Sequence, residues 1–305
     1  MPTAGPFLNV VASLQILPPG IILENLSGQG LRIDWSIEKQ IGPSPNTCDL
    51  VIYNLNKPQR LSLSVAAAAP VPIIVSLQIG WAGLAPVGVP EVVFVGEIWE
   101  VQATKKENTD ILTLIKLGDG AKPLADTPPP GGSAAAIGFS AMIVLTLQSF
   151  TPPIIPSPTA LAKIGEQAAK LPLPSFQFAG DESPKEFLDA ICASIGLSWG
   201  IQDGLFVVYQ NGILPTPPGF APPLLAPFSG LLDFREQDDG GLQFEALALP
   251  SVQPGSLVLF QDFDFQTGVI KTIGGAPMRI EQIKFDGSTQ GNSTMSGIAR
   301  RLQVF

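Results

Sequence analysis

Hydrophobic and polar positions alternate strictly near the start of the chain. Leu31, Ile33, Trp35 and Ile37 interleave with Arg32, Asp34, Ser36 and Glu38. A period of two buries one set and turns the other to water, so residues 30 onward read as a strand. A turn-rich interval at 42–46 leads to a second strand over 48–53, and more follow at 73–81, 92–103 and 111–117. Gly118-Asp119-Gly120 closes this series. Several strands at short spacing with turn residues between them predict a sandwich or barrel.

In the middle the period changes. Ser157-Pro158 opens a helical pattern with Leu161, Ile164, Ala168 and Leu171 on one face. Ser183-Pro184-Lys185-Glu186 offers a serine N-cap, a proline at the first helical position and a glutamate three residues after the cap. Phe187, Leu188, Ile191 and Ile195 then form an apolar stripe that Gly196 can end. Segments 197–201 and 205–209 flank Asp203-Gly204, a strong hairpin signal. The piece reads as two short helices plus a small sheet. After Pro227 the strands return at 242–249, 256–260, 268–273, 278–285 and 295–304. An internal echo accompanies them. Ile98-x-x-Val101 with Asn108-Thr109-x-Ile111-x-x-Leu114 resembles Ile280-x-x-Ile283 with Asn292-Ser293-x-Met295-x-x-Ile298. Matched this way, the second copy has a loop two residues longer, which a hairpin tolerates.

Composition narrows the function. The 305 residues carry 17 Lys+Arg against 26 Asp+Glu, a net charge of −9, with only 14% charged residues, 31 glycines and 31 prolines. Such a chain is too apolar for disorder, too acidic for a general nucleic-acid binder and too interrupted to be mainly helical. There is no histidine. Ser-His-Asp and Cys-His catalysis and histidine-ligated metals are thereby excluded. Cys48 and Cys192 lie too far apart in sequence for a local metal or redox motif, which favours a reduced, cytosolic site of synthesis. Residues 1–23 lack the basic region of a signal peptide. The uncharged run 134–147 is shorter than the ~20 apolar residues of a bilayer span, so no membrane-spanning segment is expected and the run reads as buried.

Segments 61–90, 127–162 and 204–232 contain no charged side chain. Monomers use charges to keep loops and strand edges solvated and separate, so these stretches point to surface covered by other subunits. The alternative is a monomer with proline-stiffened neutral loops. The proline-rich parts, 127–130 with 151–158 and then 215–227, mark boundaries.

Carboxylates are the remaining acid-base equipment. Asp262 and Asp264 would share one strand face, and such pairs can bind a metal or hydrolyse glycosides. The simpler reading is a solvated strand end with Phe263 and Phe265 facing the core. Asp233, Glu236, Asp238 and Asp239 lack calcium-loop spacing and read as a turn rim. Ser27-Gly28-Gln29-Gly30 lacks the third glycine of a phosphate cradle and reads as a turn. Cys192, near the apolar face of its helix, reads as core. Trp35 and Trp99 read as core or interface anchors, and Trp81 as a residue exposed at a contact. No catalytic, cofactor-binding or metal-ligating residue is assigned.

Taken in order, the motifs resemble phage baseplate hub proteins. Ile33-Asp34-Trp35-Ser36-Ile37-Glu38-Lys39, then Asn46 through Tyr53-Asn54-Leu55 with Arg60 after it, is similar to that family's first strands. Ile79-Gly80-Trp81 and Val93-Phe94-Val95-Gly96-Glu97-Ile98 match its next strands. Residues 183–204 resemble its small helical piece, and Leu249-Pro250-Ser251-Val252-Gln253-Pro254-Gly255-Ser256 the lead-in to its second barrel. The chain departs from the pattern in its extra proline-rich stretches and carries no recognisable lysozyme or peptidase insertion.

The resemblance implies a mainly β fold with a small α+β part. Two tube-like barrels, residues 1–125 and 231–305, would flank a Pro-rich mixed domain at 126–230. It implies a non-enzymatic, cofactor-free virion protein of the tail baseplate, assembled in the host cytoplasm. Three copies would form a pseudo-sixfold ring joining the hexameric tail tube to the trimeric central spike, beside other baseplate proteins, with DNA only in transit. The acidic balance suggests a lumen that does not retain phosphate backbones. Alternatives are a tail tube or distal tail protein forming a hexamer, a carboxylate-based cell-wall glycan hydrolase using Asp262 or Asp264, and a capsid or fibre protein.

Overall fold

The computed structural model describes residues 10–302 apart from 18–19, 26–29, 69–72, 82–90, 106–109, 121–137, 151–152, 172–182, 217–218, 220, 265 and 268. Its elements fall into a first β unit, a mixed unit and a second β unit. The first holds β1 (Val10–Leu17), β2 (Ile21–Asn25), β3 (Ile33–Gln40), β4 (Thr47–Tyr53), α1 (Lys57–Ala67), β5 (Ile74–Trp81), β6 (Glu91–Lys105) and β7 (Ile111–Gly118). The mixed unit holds α2 (Phe139–Ser149), β8 (Ile155–Pro156), α3 (Pro158–Ala168), α4 (Pro184–Ser194), β9 (Ser198–Gln202) and β10 (Leu205–Tyr209). The second β unit holds β11 (Leu224–Leu225), β12 (Leu231–Glu236), β13 (Gly241–Leu247), β14 (Leu257–Asp264), β15 (Val269–Thr272), β16 (Met278–Ser288) and β17 (Ser293–Arg301).

The fold is mainly β, as the alternation predicts. One large antiparallel sheet runs β12-β13-β17-β16-β3-β4-β7-β6-β5-β1-β2, and β14 branches from β16 with β11 and β15 beside it. Its inward positions from both β units form one core, including Ile37, Leu50, Leu77, Phe94, Phe260 and Phe285. A second core, with Ile143, Leu188, Trp199 and Phe206, belongs to the mixed unit.

The two β units have the same topology. Each runs hairpin, strand, hairpin, and the strand order β3-β4-β7-β6-β5 repeats as β12-β13-β17-β16-β14. The register repeats with it. Ile98 pairs with Leu117 and Ile280 with Ala299, a constant offset of 182, and a bulge follows each at Trp99 and at Glu281. Three connecting hydrogen bonds recur: Tyr53 N to Arg32 O and Leu247 N to Gly230 O; Asn54 N to Ile111 O and Ala248 N to Ser293 O; Ile98 N to Ile73 O and Ile280 N to Ser256 O. The echo in the sequence is therefore a real duplication, but its second half was matched two residues out. Ile111 corresponds to Ser293, not Met295, so the two copies need no difference in length there. A slip of two keeps every side chain on its own face, which is why the pattern alone permits it.

Local signals explain most elements. Ser183 caps α4 in a reciprocal box with Glu186, and Ser157 Oγ accepts from Ala160 N at the start of α3. Asp203 and Gly204 both have positive φ, 54° and 78°, as the tight β9–β10 turn requires. Four expectations need correction. The mixed unit has three helices, because the uncharged run contributes α2, which buries Phe139, Met142, Ile143 and Leu147. Helix α1 runs into the uncharged 61–90 stretch, where no helix is expected, its stripe being weak and its Leu61 and Val65 exposed. Asp233 and Glu236 stand on strand β12 rather than on a turn. Phe263 is half-buried at the end of β14 instead of in the core. Ser27–Gln29, Phe265 and the 127–130 stretch lie outside the described residues.

Candidate functional site

The candidate functional geometry lies at the seam between the two β units, on the outward face of the sheet, and where the mixed unit docks. At the seam β16 pairs with β3 over seven residues, from Gln282 opposite Gln40 to Ser288 opposite Asp34. Phe285 and Ile37 face each other in the core, both 0% exposed. On the other face Ser36 Oγ donates to Asp286 Oδ1 at 2.7 Å, and Ile41 N donates to the carbonyl of bulge residue Glu281 at 3.1 Å. Gly287 fits the Trp35 ring, since a Cβ there would lie 2.6 Å from Trp35 Cζ2. Apolar burial on one side and satisfied polar groups on the other make this a strong joint.

Cross-strand partners share a face, so the ladder defines the one turned away from the core. Glu24, Asp34, Glu38, Asp49, Glu97, Glu100, Asp233, Glu245 and Asp286 occupy it with Arg32, Lys116, Arg235, Arg279, Lys284 and Arg300. Some charges pair: Arg32 with Asp34 at 2.8 Å, Lys116 with Glu100 at 3.3 Å and Lys284 with Asp286 at 3.3 Å. Arg32 also lies over the Tyr53 ring at 4.4 Å. Carboxylates outnumber cations, which leaves this face negative.

A buried polar junction ties the three units together. Lys39, 1% exposed, continues the inward register of Ile33, Trp35 and Ile37. Its Nζ donates to Asp203 Oδ1 at 2.7 Å and Oδ2 at 2.9 Å in the β9–β10 turn, and to Gln253 Oε1 at 2.9 Å in the second β unit. Asp119 Oδ1 accepts from Gly204 N at 2.8 Å, and Asn46 Nδ2 donates to Ile201 O at 2.8 Å. Burial, and then the nearby charge of Asp203, push the Asp119 carboxyl up to about 7, against partial relief from Gly204 N, Lys39 and Asn46. A buried, fully ligated ammonium fixes orientation, because any other docking angle strands its charge.

Asp262 and Asp264 share one face at the end of β14, as the sequence reading expects. Asp262 and Asp264 spend oxygens on local backbone: Asp262 Oδ1 accepts from Phe263 N at 2.8 Å and Asp264 Oδ1 from Gln266 N at 2.8 Å. Among the described residues no group of three or more acidic or cysteine side chains could hold a metal ion. Cys48 and Cys192 are free thiols; burial raises both, Cys192 to about 12. Trp35 is buried, while Trp99 is 43% exposed. The side chain of Trp81 lies outside the described residues. No helix among the described residues is long and apolar enough to cross a membrane. Lys39 ends the first motif in the sequence, which gives it no role of its own. Extending the alternation by two positions places it inside.

No protein-family profile matches the sequence, and no curated protein does. Solved structures do match its fold. A tail protein from Neisseria meningitidis MC58 has 13% identity and a TM-score of 0.56, covering 96% of each chain. The 43 kDa tail protein of prophage MuSo2 from Shewanella oneidensis has 14% identity and a TM-score of 0.56, covering 96% of this chain and 97% of that one. A chain of the Francisella PdpA-VgrG complex, at 9% identity and a TM-score of 0.56, covers 99% of this chain and 60% of its own length. The fold is that of phage tail proteins. The resemblance read from the motifs therefore holds at the level of architecture, along nearly the whole chain.

Proposed function

We propose that this chain is the structural hub of a phage-type tail baseplate. Three copies form a pseudo-sixfold ring that joins the hexameric tail tube to the trimeric central spike. The observation that carries this reading is the duplication: two β units of one topology and register, joined edge to edge, so that three chains supply six near-equivalent units. Residues 1–125 and 231–305 are the two tube-like domains, and 126–230 is the mixed domain outside them. The acidic sheet face lines the conduit, where like charge repels passing phosphates and keeps DNA from lodging.

Other features support an assembly. Leu61, Val65, Leu145, Ile155, Leu161, Leu205, Phe228 and Leu232 are exposed large apolar side chains within the three uncharged stretches, where neighbouring subunits would cover them. The likeness to a chain of the PdpA-VgrG complex supports a further protein partner, here the central spike and adjoining baseplate proteins. The role is mechanical, without catalysis, in the virion after assembly in the host cytoplasm. A hexameric tube of this chain would present twelve β units, which fits a sixfold tail axis less directly. Counting copies per particle by quantitative mass spectrometry tests the reading. Three copies support it; six, or absence from particles, would overturn it.

A further inference from the structure

Among the described residues, the duplication leaves two strand edges without a mate. Inside the chain, the part of β16 beyond its bulge pairs with β3. The equivalent part of β6, Glu100–Lys105 beyond Trp99, pairs among the described residues only with β7 on its other side. The equivalent of β3 is β12, which among the described residues pairs only with β13. The equivalence follows the ladder across each unit: Val101, Ile115, Leu50 and Trp35 in the first match Ile283, Gly297, Phe244 and Phe234 in the second. Each unit thus has one half of a joint whose complete form the chain already displays.

We propose that β6 of one copy pairs antiparallel with β12 of the next, in the register that β16 and β3 use within the chain. The inference rests on the ring reading and names the surface that closes it. Phe285 opposite Ile37, Asp286 opposite Ser36 and Gly287 opposite Trp35 become Ala103 opposite Glu236, Thr104 opposite Arg235 and Lys105 opposite Phe234. Both edges are open. Gln102, Ala103 and Thr104 are exposed although α1 packs along β6, and so are Asp233, Arg235 and Glu236. The bulge residues at the two edges, Trp99 and Leu232, leave apolar surface in water, 43% and 55% exposed. Where the internal seam has Phe285 and Ile37, these edges carry the small Ala103 and the charged Glu236. An edge that must stay soluble before assembly needs such residues, whereas an internal joint does not. Because the two edges differ, the contact is head-to-tail and makes a closed ring only at the correct rotation.

Paired cysteines read the register directly. Antiparallel partners have Cα atoms about 4.5–5.5 Å apart, within disulfide range. Thr104→Cys with Arg235→Cys in one chain should give, on oxidation, a covalent trimer on a non-reducing gel. Ser36→Cys with Asp286→Cys, the same two places at the internal seam, should close within the chain and calibrates the geometry. Thr104→Cys with Phe234→Cys puts the thiols on opposite faces and should stay unlinked. Native Cys48 and Cys192 are buried, 1% and 0% exposed, and do not compete. A ring of three by native mass with no bond at 104–235, while 36–286 closes, overturns the seam and leaves the ring reading standing. Linkage into open ladders beyond three, or preferential linkage in the shifted pair, also overturns it. A chain that stays monomeric or forms sixes overturns the ring reading itself. As a second measurement, Thr104→Arg should dissociate the trimer by facing Arg235, and adding Arg235→Glu should restore it; an unaffected trimer would refute the pairing.

Discussion

Lys39→Met is the sharpest test of how the mixed unit is held. The ammonium is 1% exposed and makes three hydrogen bonds, to both oxygens of Asp203 and to Gln253 Oε1. Met fills nearly the same volume, so the loss is electrostatic rather than a cavity. Asp203 would keep a carboxylate facing buried Asp119 with its counter-charge gone. Removing one partner of a buried ion pair costs about 3–5 kcal/mol; with the Asp203 side chain 21% exposed, the lower end, about 3 kcal/mol, is expected. Asp203→Asn alone should cost a similar amount, since it leaves Lys39 charged and underligated. The double variant, neutral on both sides, should recover at least half of the summed loss. Equilibrium urea unfolding followed by intrinsic tryptophan fluorescence, to which Trp199 in the core of the mixed unit contributes, reads all three. A Lys39→Met cost below about 1 kcal/mol, or strict additivity in the cycle, would refute the junction as the clamp.

Asp119 gives the junction a pH signature. Its folded-state carboxyl lies at about 7 against an ordinary 3.8, so between those values the folded chain binds the extra proton and stability falls as pH rises. Asp119→Asn should flatten that slope and stabilise the chain at pH 8 relative to the parent by a few kcal/mol; parallel profiles of urea midpoint between pH 4.5 and 8 would contradict this. On the acidic face, Asp49→Lys with Glu245→Lys should leave folding within about 0.5 kcal/mol, both being exposed, yet slow genome ejection from particles, most at low salt. Unchanged ejection kinetics would argue against that face as the conduit wall. Gly118→Ala should destabilise the chain, because its Cβ would sit 1.7 Å from Trp99 Cζ2, and thermal unfolding without a lowered midpoint would show that the ring has room to move.

Much of the architecture was legible because strand alternation and capping are local signals. Ile33 to Ile37, the Ser183–Glu186 box and the Asp203-Gly204 turn each carry their physics within a few residues, and all three fold as read. The duplication was visible through Ile98 and Ile280 but slipped by two in the returning strand, since period-two patterns do not distinguish registers two apart. Strand β12 was hidden by its charge: as an edge it trades apolar residues for Asp233, Arg235 and Glu236, and an edge strand then resembles a loop. Helix α1 was hidden for the opposite reason, having weak amphipathicity in an alanine-rich run. Lys39 was legible by continuing the alternation, but its partners Asp203 and Gln253 stand 164 and 214 residues away, and no local pattern names them.

The ring is the central claim, and rotational symmetry tests it most directly. Class averages of the purified assembly viewed down its axis should show three copies of the 32.1 kDa chain in a threefold ring that looks sixfold at low detail. A strictly sixfold ring of six chains, or particles that remain single chains at assembly concentrations, would contradict it.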